Sequence, residues 1–471
     1  MSSDSRLRLP YLSDRDLRGS WPWLAGGLAA VAATGAFAYL ARAIVKKRRV
    51  DRVLKEFHDT LIVPTPKLKE LCGEMLNEVQ AGLRGDKSSL LMLPSMVDIL
   101  PDGNEKGDVY AVDIGGTNFR VLHLRLSDER GQVAHTDLRD FTIPEEMYSC
   151  HINELFDLLA VRTVEFIRDV RRDSPSLEKP LVGFCFSFPV EQTGLASGNL
   201  IKLTKKFENA GAVGADPVLQ LAEALERKGM PAHVSVLLND AVGTFAGGRY
   251  MDEDIMLGII LGTGTNACYL EKRSNIRKGR LPDLSHSEGM LINTEWAGFV
   301  SSNLPLLEED RTLDWHSVNV GEAVYEKMVS GLYMGEVARH ILITLIERGR
   351  LLGGKVPDAM REPWSLETRF MAGMHTDNTL LLSEVSAAMY CLYGVGPWEM
   401  TYFERRQVQE VCRLVCLRSA RLIAMGIAAL LKQMGRDGSE GPAPRTAIVM
   451  DGGVATHYPA HKDMDPESRL L

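Results

Sequence analysis

Asp113, Gly115, Gly116, Thr117, Asn118 and Arg120 fall within one short stretch, residues 109–126 (VYAVDIGGTNFRVLHLRL), and their chemistry suits the grip of a polyanion. Two adjacent glycines remove both Cβ atoms where a phosphate chain could approach, and Thr117 and Asn118 add polar donors. Arg120 adds positive charge, and Asp113 offers a carboxylate to a hard cation. A second run of this kind, Gly262-Thr263-Gly264-Thr265-Asn266, and a third glycine turn, Asp451-Gly452-Gly453, lie far downstream. Asn239-Asp240 directly follows an apolar run, which puts a carboxylate at the lip of a sheet or, as the plainer reading has it, at a helix cap.

The elements that must carry these groups are legible from periodicity. Tyr110, Val112 and Ile114 alternate with Ala111 and Asp113, and Phe119, Val121 and His123 alternate with Arg120, Leu122 and Leu124. This is the period of paired strands, with Gly115-Gly116 as the hairpin tip. A third strand is expected over 133–143, then a helix over 153–171, a strand over 181–186, a helix opened by Asp216-Pro217 and a strand over 234–238. The order then restarts: strand 255–261, the second Gly/Thr tip, and a return strand 267–271. Two such tips in corresponding places are expected of a duplicated domain that grips a nucleotide from both sides. Helices are expected over 50–64, 67–83, 321–348 and 405–434, and a strand over 445–450.

A chain of 471 residues, 45% hydrophobic and 25% charged, fits two to three globular domains. The net charge of −8 conceals an asymmetry, since residues 1–50 carry nine Lys/Arg against three Asp. The acidic remainder makes nucleic acid an unexpected partner. Seven scattered cysteines without Cys-x-x-Cys spacing are expected to be reduced thiols, with Cys412 and Cys416 read as packing groups. Residues 21–40 contain no charge and are followed by Arg42 and Lys46-Lys47-Arg48-Arg49. That length spans a bilayer, and the basic flank puts the rest of the chain on the cytoplasmic side. A cleaved secretory signal and an organelle transit peptide are the rival readings of this segment.

Four stretches together resemble the eukaryotic hexokinases, with a tethered N-terminus similar to that of the plant and algal members: DIGGTNFR (113–120), GFCFSFPVEQTGLASGNLIKLTKKF (183–207), LLNDAVGTFAGGRY with ILGTGTNACYLE (237–250 and 260–271), and GMLINTEW with VYEKMVSGLYMGE (289–296 and 324–336). The resemblance implies an α/β, actin-like ATPase (ribonuclease H-like) duplicated two-domain fold, preceded by an N-terminal transmembrane helix. It implies transfer of the γ-phosphoryl group of ATP, with Mg2+, to the 6-hydroxyl of D-glucose, fructose or mannose, by a monomer on the cytosolic face of a membrane, the mitochondrial outer membrane being favoured. Asp240 would be the base and Lys205 would neutralise the moving phosphoryl. Ser187, Phe188, Thr204, Lys205, Asn239, Asp240, Asn266, Glu295 and Glu326 would hold the sugar. Asp113, Gly115, Gly116, Thr117, Asn118, Arg120, Thr263, Gly264, Gly452 and Gly453 would hold the nucleotide, Asp113 also taking the metal. A hexose needs donors and acceptors matched to several hydroxyls, and these residue types supply them.

The expected layout is an anchor and basic flank (1–49), N-terminal helices of the large domain (50–105), a small domain (106–238), a large domain (239–458) and a disordered tail (459–471). The chain departs from the family pattern at Leu203-Thr204-Lys205-Lys206-Phe207, which lacks a usual tryptophan and glycine, and at Asn319-Val320-Gly321, which lacks a proline. After Gly453 the family pattern continues with a strand, an acidic Gly-Ser-Gly turn and an Ala-rich helix, and this sequence has a polar tail there instead. A hexose-binding sensor with weak catalysis is the alternative expectation, prompted by that ending.

Overall fold

The computed structural model describes residues 14–172, 178–203, 207–279, 281, 289–439, 441–442 and 444–458, as backbone alone at 14–33, 35–36 and 38–39. Thr204, Lys205 and the tail 459–471 lie outside the described residues.

Helix α1 (Asp14–Leu61) is a single element of 48 residues. The sequence reading began a separate helix at residue 50, but no glycine or proline stands between 41 and 61, so nothing interrupts the helix that starts upstream. Its last turns bury Val50, Val53, Phe57 and Leu61 in the larger of the two main cores. Arg49 Nε also donates to the Arg348 carbonyl at 2.8 Å. Helix α2 (Thr65–Arg84) starts behind Pro64 and stops at Gly85, whose φ of 80° is the left-handed conformation that suits glycine after a helix.

After the short strand β1 (Leu93–Pro94), the first sheet is built from β2 (Gly107–Ile114), β3 (Asn118–Leu126), β4 (Val133–Thr142), β5 (Leu181–Phe186) and β8 (His233–Leu238). Helix α3 (Ile152–Val170) lies between β4 and β5, and α4 (Pro217–Arg227) precedes β8. A hairpin of β6 (Val190–Gly194) and β7 (Ser197–Leu200), which the sequence reading missed, stands between β5 and α4. Leu155, Phe156, Leu159 and Ile167 of α3 pack on Val112, Ile114, Phe119, Val121 and Phe184 of the sheet. Each such side chain contributes roughly 1.5–3 kcal/mol on burial.

The second sheet holds β1, β9 (Ile255–Leu261), β10 (Thr265–Lys272), β11 (Gly289–Asn293) and β12 (Ala447–Asp451). Strands β4-β3-β2-β5 and β11-β10-β9-β12 run in the same order and sense: an antiparallel meander whose first strand pairs in parallel with the next one added. The two halves therefore repeat one architecture, and the two Gly/Thr tips occupy the same place in each.

Helix α5 (Asp240–Met251) packs on β9 through Val242 and Phe245. Beyond β11 come α6 (Glu308–Trp315), α7 (Val324–Val329), α8 (Gly331–Gly349), α9 (Asp358–Arg361), α10 (Thr368–Thr376), α11 (Ser383–Tyr393) and α12 (Tyr402–Gln433), and α13 (Gly453–His457) follows β12. The helix expected over 321–348 is two, because Ser330 is extended (φ −92°, ψ 160°). Helix α12 is long and apolar enough to cross a membrane, yet most of it is buried inside the large domain as a core helix. One charged group lies at its centre: Arg418, wholly buried, donates to both oxygens of Asp310 at 2.6 and 2.7 Å. No disulfide joins any of the seven cysteines, and Cys412 and Cys416 are buried in the α12 core.

Candidate functional site

The first tip closes where Gly115 N–H donates to the Asn118 carbonyl at 2.9 Å. A Cβ on Gly115 would stand 3.2 Å from that same oxygen, so the turn tolerates a side chain poorly. Gly116 continues the turn, Thr117 and Asn118 are exposed on it, and the Thr117 carbonyl accepts from Ile143 N–H at 2.9 Å. Asp113 ends β2 partly buried, 3.8 Å from Arg120 Nη1. Arg120 donates to Asp140 at 2.8 Å, and that bond is the chief reason its pKa is raised; Asp113 and Asp451 raise it further. Asp451 belongs to the glycine turn after β12, so Arg120 feels both sides of the cleft between the two sheets.

The second tip is braced from three directions. Gly331 N–H, at the start of α8, donates to the Gly262 carbonyl at 2.7 Å, and Leu332 N–H donates to that of the exposed Thr263 at 3.1 Å. Thr265 N–H donates to Glu326 Oε2 at 2.9 Å. A Cβ on Gly264 would lie 2.5 Å from that oxygen, so a side chain there would push the Glu326 carboxylate aside. Gly452 has a φ of 110°, and a Cβ on it would meet the Leu261 carbonyl at 2.6 Å, so the third glycine turn is pressed against the second. Gly453 opens α13.

Polar side chains gather below these tips. Strand β8 delivers Asn239 to the cap of α5, where its Oδ1 accepts from Ala241 N–H at 3.0 Å, and Asp240 is the first helical residue. The plain reading of Asn239 as a cap is thus correct, and the position at the sheet lip holds as well. Asn266 Nδ2, from β10, stands 2.9 Å from Asn293 Oδ1, 3.2 Å from Asn239 Oδ1 and 3.2 Å from Glu295 Oε1. Asn293 Nδ2 donates to Glu295 Oε1 at 2.8 Å. Glu295 has φ 53°, a left-handed conformation that costs a non-glycine residue about 1–3 kcal/mol and recurs at functional sites.

Burial pushes the Glu295 carboxyl up to about 7; hydrogen bonds from Asn293 and Asn266 oppose the shift, and the charges of Asp240 and Glu326 add to it. Three carboxylates therefore share one place. Because the folded chain holds this proton more tightly than the unfolded chain does, stability falls as pH rises from 4.5 to 7 and is level above that. The effect is at most about 3 kcal/mol. Glu295→Gln should abolish that fall, so its stability relative to the parent should grow between about pH 5 and 8 in urea melts. Parallel pH profiles would contradict the assignment.

The structure brings together Asn239, Asp240, Asn266, Glu295 and Glu326, and adds Asn293, which the sequence reading passed over. Asn293 lies within the quoted GMLINTEW stretch, two residues before Glu295, and that spacing was its only signal. Ser187 and Phe188 follow β5. Phe188 is buried, its ring 4.7 Å from that of Phe186 and 5.2 Å from that of Phe207, and it lines a small cavity that also touches Leu93, Gln192, Asn239 and Asn293.

Two family models described as hexokinase match the chain, over residues 53–250 and 256–467. Hexokinase-2 of Oryza sativa subsp. japonica is 42% identical over 414 residues, covering 87% of this chain and 83% of the relative. Hexokinase-1 of Spinacia oleracea is 39% identical over 453 residues, covering 93% and 90%. Among solved structures, the hexokinase from Schistosoma mansoni complexed with glucose superposes with a TM-score of 0.79 at 29% identity, over 90% of this chain and 93% of that one.

Proposed function

The chain belongs to the hexokinase family, with its two-domain actin-like ATPase fold, and on that premise we propose a role for each part of its site. The activity is ATP-dependent phosphorylation of a hexose, with D-glucose the expected substrate and the 6-hydroxyl the acceptor. Asp240 takes the proton of that hydroxyl, the oxygen forms its bond to the γ-phosphorus, and ADP leaves. Asn239, Asn266, Asn293, Glu295 and Glu326 hold the other hydroxyls, with Ser187, Thr204 and Lys205 as further sugar ligands and Lys205 also neutralising the moving phosphoryl. The observation that carries this reading is the convergence of three carboxylates and three asparagines beside the two glycine tips.

The tips and Arg120 hold the phosphates. The family implies Mg2+, and the oxygen donors beside Arg120, Asp113 and Asp451, are of the kind that ion takes. Asp113 would hold it, and the ion would supply charge neutralisation at the phosphates. Positioning and charge supply most of the acceleration in such transfers. A coupled assay of the full chain with ATP, magnesium and glucose should yield sugar phosphate. Folded protein that binds hexose without turnover would replace this reading with that of a sensor.

We also propose that residues 21–40 anchor the chain in a membrane, with the mitochondrial outer membrane favoured. Support comes from the uncharged run and from Phe37, Leu40 and Val45 of α1, which are 75%, 57% and 65% exposed. A fluorescent fusion of residues 1–55 should label a cytosol-facing membrane; a diffuse signal would exclude the anchor.

A further inference from the structure

The outer end of the first sheet carries a second polar cluster that the phosphoryl-transfer site does not use. His123 on β3 pairs directly with Asp137 on β4, and His135 lies two residues from Asp137 on the same face. His123 is 2% exposed, its ring stacked on Tyr110 at 4.9 Å. Its Nε2 stands 2.8 Å from Asp108 Oδ1, and Arg125 Nε donates to that same oxygen at 2.9 Å. Its Nδ1 stands 3.3 Å from Asp137 Oδ2, and His135 Nε2 is 2.9 Å from that oxygen too.

A neutral imidazole has one N–H, so His123 can donate to only one of its two carboxylates. In the tautomer whose Nε2–H donates to Asp108, the closer carboxylate, the Nδ1 lone pair faces Asp137 and is free to ligate a metal. The arrangement also has the second layer of a metal site: a carboxylate, itself held by an arginine, fixes the far nitrogen of a buried histidine. The candidate ligand atoms of His123, His135 and Asp137 all lie within 4.8 Å of one another. Around a tetrahedral ion with bonds of about 2.0–2.1 Å, neighbouring ligands stand about 3.3 Å apart. Two of the three spacings, 3.3 and 2.9 Å, are near that value, and the third is within 4.8 Å.

We propose that His123 Nδ1, His135 Nε2 and a carboxylate oxygen of Asp137 form a binding site for a borderline divalent transition metal, of which Zn2+ is the representative. Two imidazoles and one carboxylate select such an ion over Mg2+, which prefers an all-oxygen shell. The site clips β4, which pairs only with β3, to the rest of the sheet. It lies on the far end of the β2–β3 hairpin from the glycine tip, so its role is to hold the small domain together rather than to take part in the transfer.

The test is a Zn2+ titration of the full chain in detergent, in competition with a chromophoric chelator, on the parent, His135→Ala and Asp137→Asn. Both substituted side chains are at least 41% exposed, so the variants should fold. One equivalent in the parent should weaken by at least about 10–100-fold in each variant, the loss seen when even an outer-layer partner of a metal site is removed. The Co2+ form of that equivalent should lack a thiolate charge-transfer band, which separates it from binding at the exposed Cys391. Absence of a bound equivalent in the parent, or an equivalent of unchanged affinity in both variants, overturns the proposal and leaves the cluster bridged by protons alone.

Discussion

Asp240→Ala should lower kcat by about 10²–10⁴-fold, the usual worth of a positioned general base, while the variant still folds and still binds hexose. On the proposed roles the loss is of turnover, because the carboxylate would act on the proton of the attacking hydroxyl, whereas the amides around Asn266 and the carboxylates of Glu295 and Glu326, proposed to hold the rest of the sugar, are untouched. Folding should survive because α5 keeps its Asn239 cap and its packing through Val242 and Phe245. Among the contacts the substitution removes is that from Ala241 N–H to Asp240 Oδ1 at 2.9 Å, worth about 0.5–1.5 kcal/mol. Asp240→Asn keeps the shape but cannot take the proton, so it should be as slow as the alanine variant. Steady-state kinetics with hexose binding measured separately decides the matter, and parental kcat in either variant would remove Asp240 from the role of base.

Asp310→Ala should cost about 3–5 kcal/mol of stability, a large share of the 5–15 kcal/mol that a domain of this kind possesses. The bidentate pair with Arg418 is buried at both ends, so truncating the carboxylate strands a guanidinium in the middle of α12. Arg418 Nε is already without a hydrogen-bond partner and can gain nothing from the loss. The remaining contact, to the Pro305 carbonyl at 3.4 Å, is too long to compensate. Replacing both partners, as Arg418→Met with Asp310→Leu, should be far milder than the single change, since apolar groups of similar volume leave no charge uncompensated. Urea melts of the three proteins measure this, and a cost below about 1 kcal/mol for Asp310→Ala would mean that water reaches the pair.

What the sequence disclosed about this fold follows how local each signal was. The glycine tips were readable because their chemistry is contained within five or six residues and because strand alternation runs up to them on both sides. The β6–β7 hairpin escaped because Gln192-Thr193-Gly194 and Ser197-Gly198 carry no apolar alternation to mark the strands. The break at Ser330 escaped because the apolar period of α7 resumes in α8 after a single extended residue. In the site, Asp240 stood out by following an apolar strand, whereas its role and the choice of Glu295 came from the resemblance of whole stretches. Asn293 could not be picked out, since it matters only through the pairing of β10 with β11, which places it beside Asn266. Glu326 was read as a sugar ligand, and its second contact, the brace on Thr265 N–H, depends on α7 folding back over the second tip.

The amide of Asn266 has two protons and three oxygens around it. Two of those oxygens have a second donor, Ala241 N–H on Asn239 Oδ1 and Asn293 Nδ2 on Glu295 Oε1. The donors are thus all committed, while each oxygen keeps lone pairs to spare and Glu295 brings more of them to the same spot. On the proposed roles, a polyhydroxy ligand brings its own protons to those lone pairs and adds bonds without displacing any already made. A deoxy analogue of the same size and shape should then bind less tightly, for what it fails to donate.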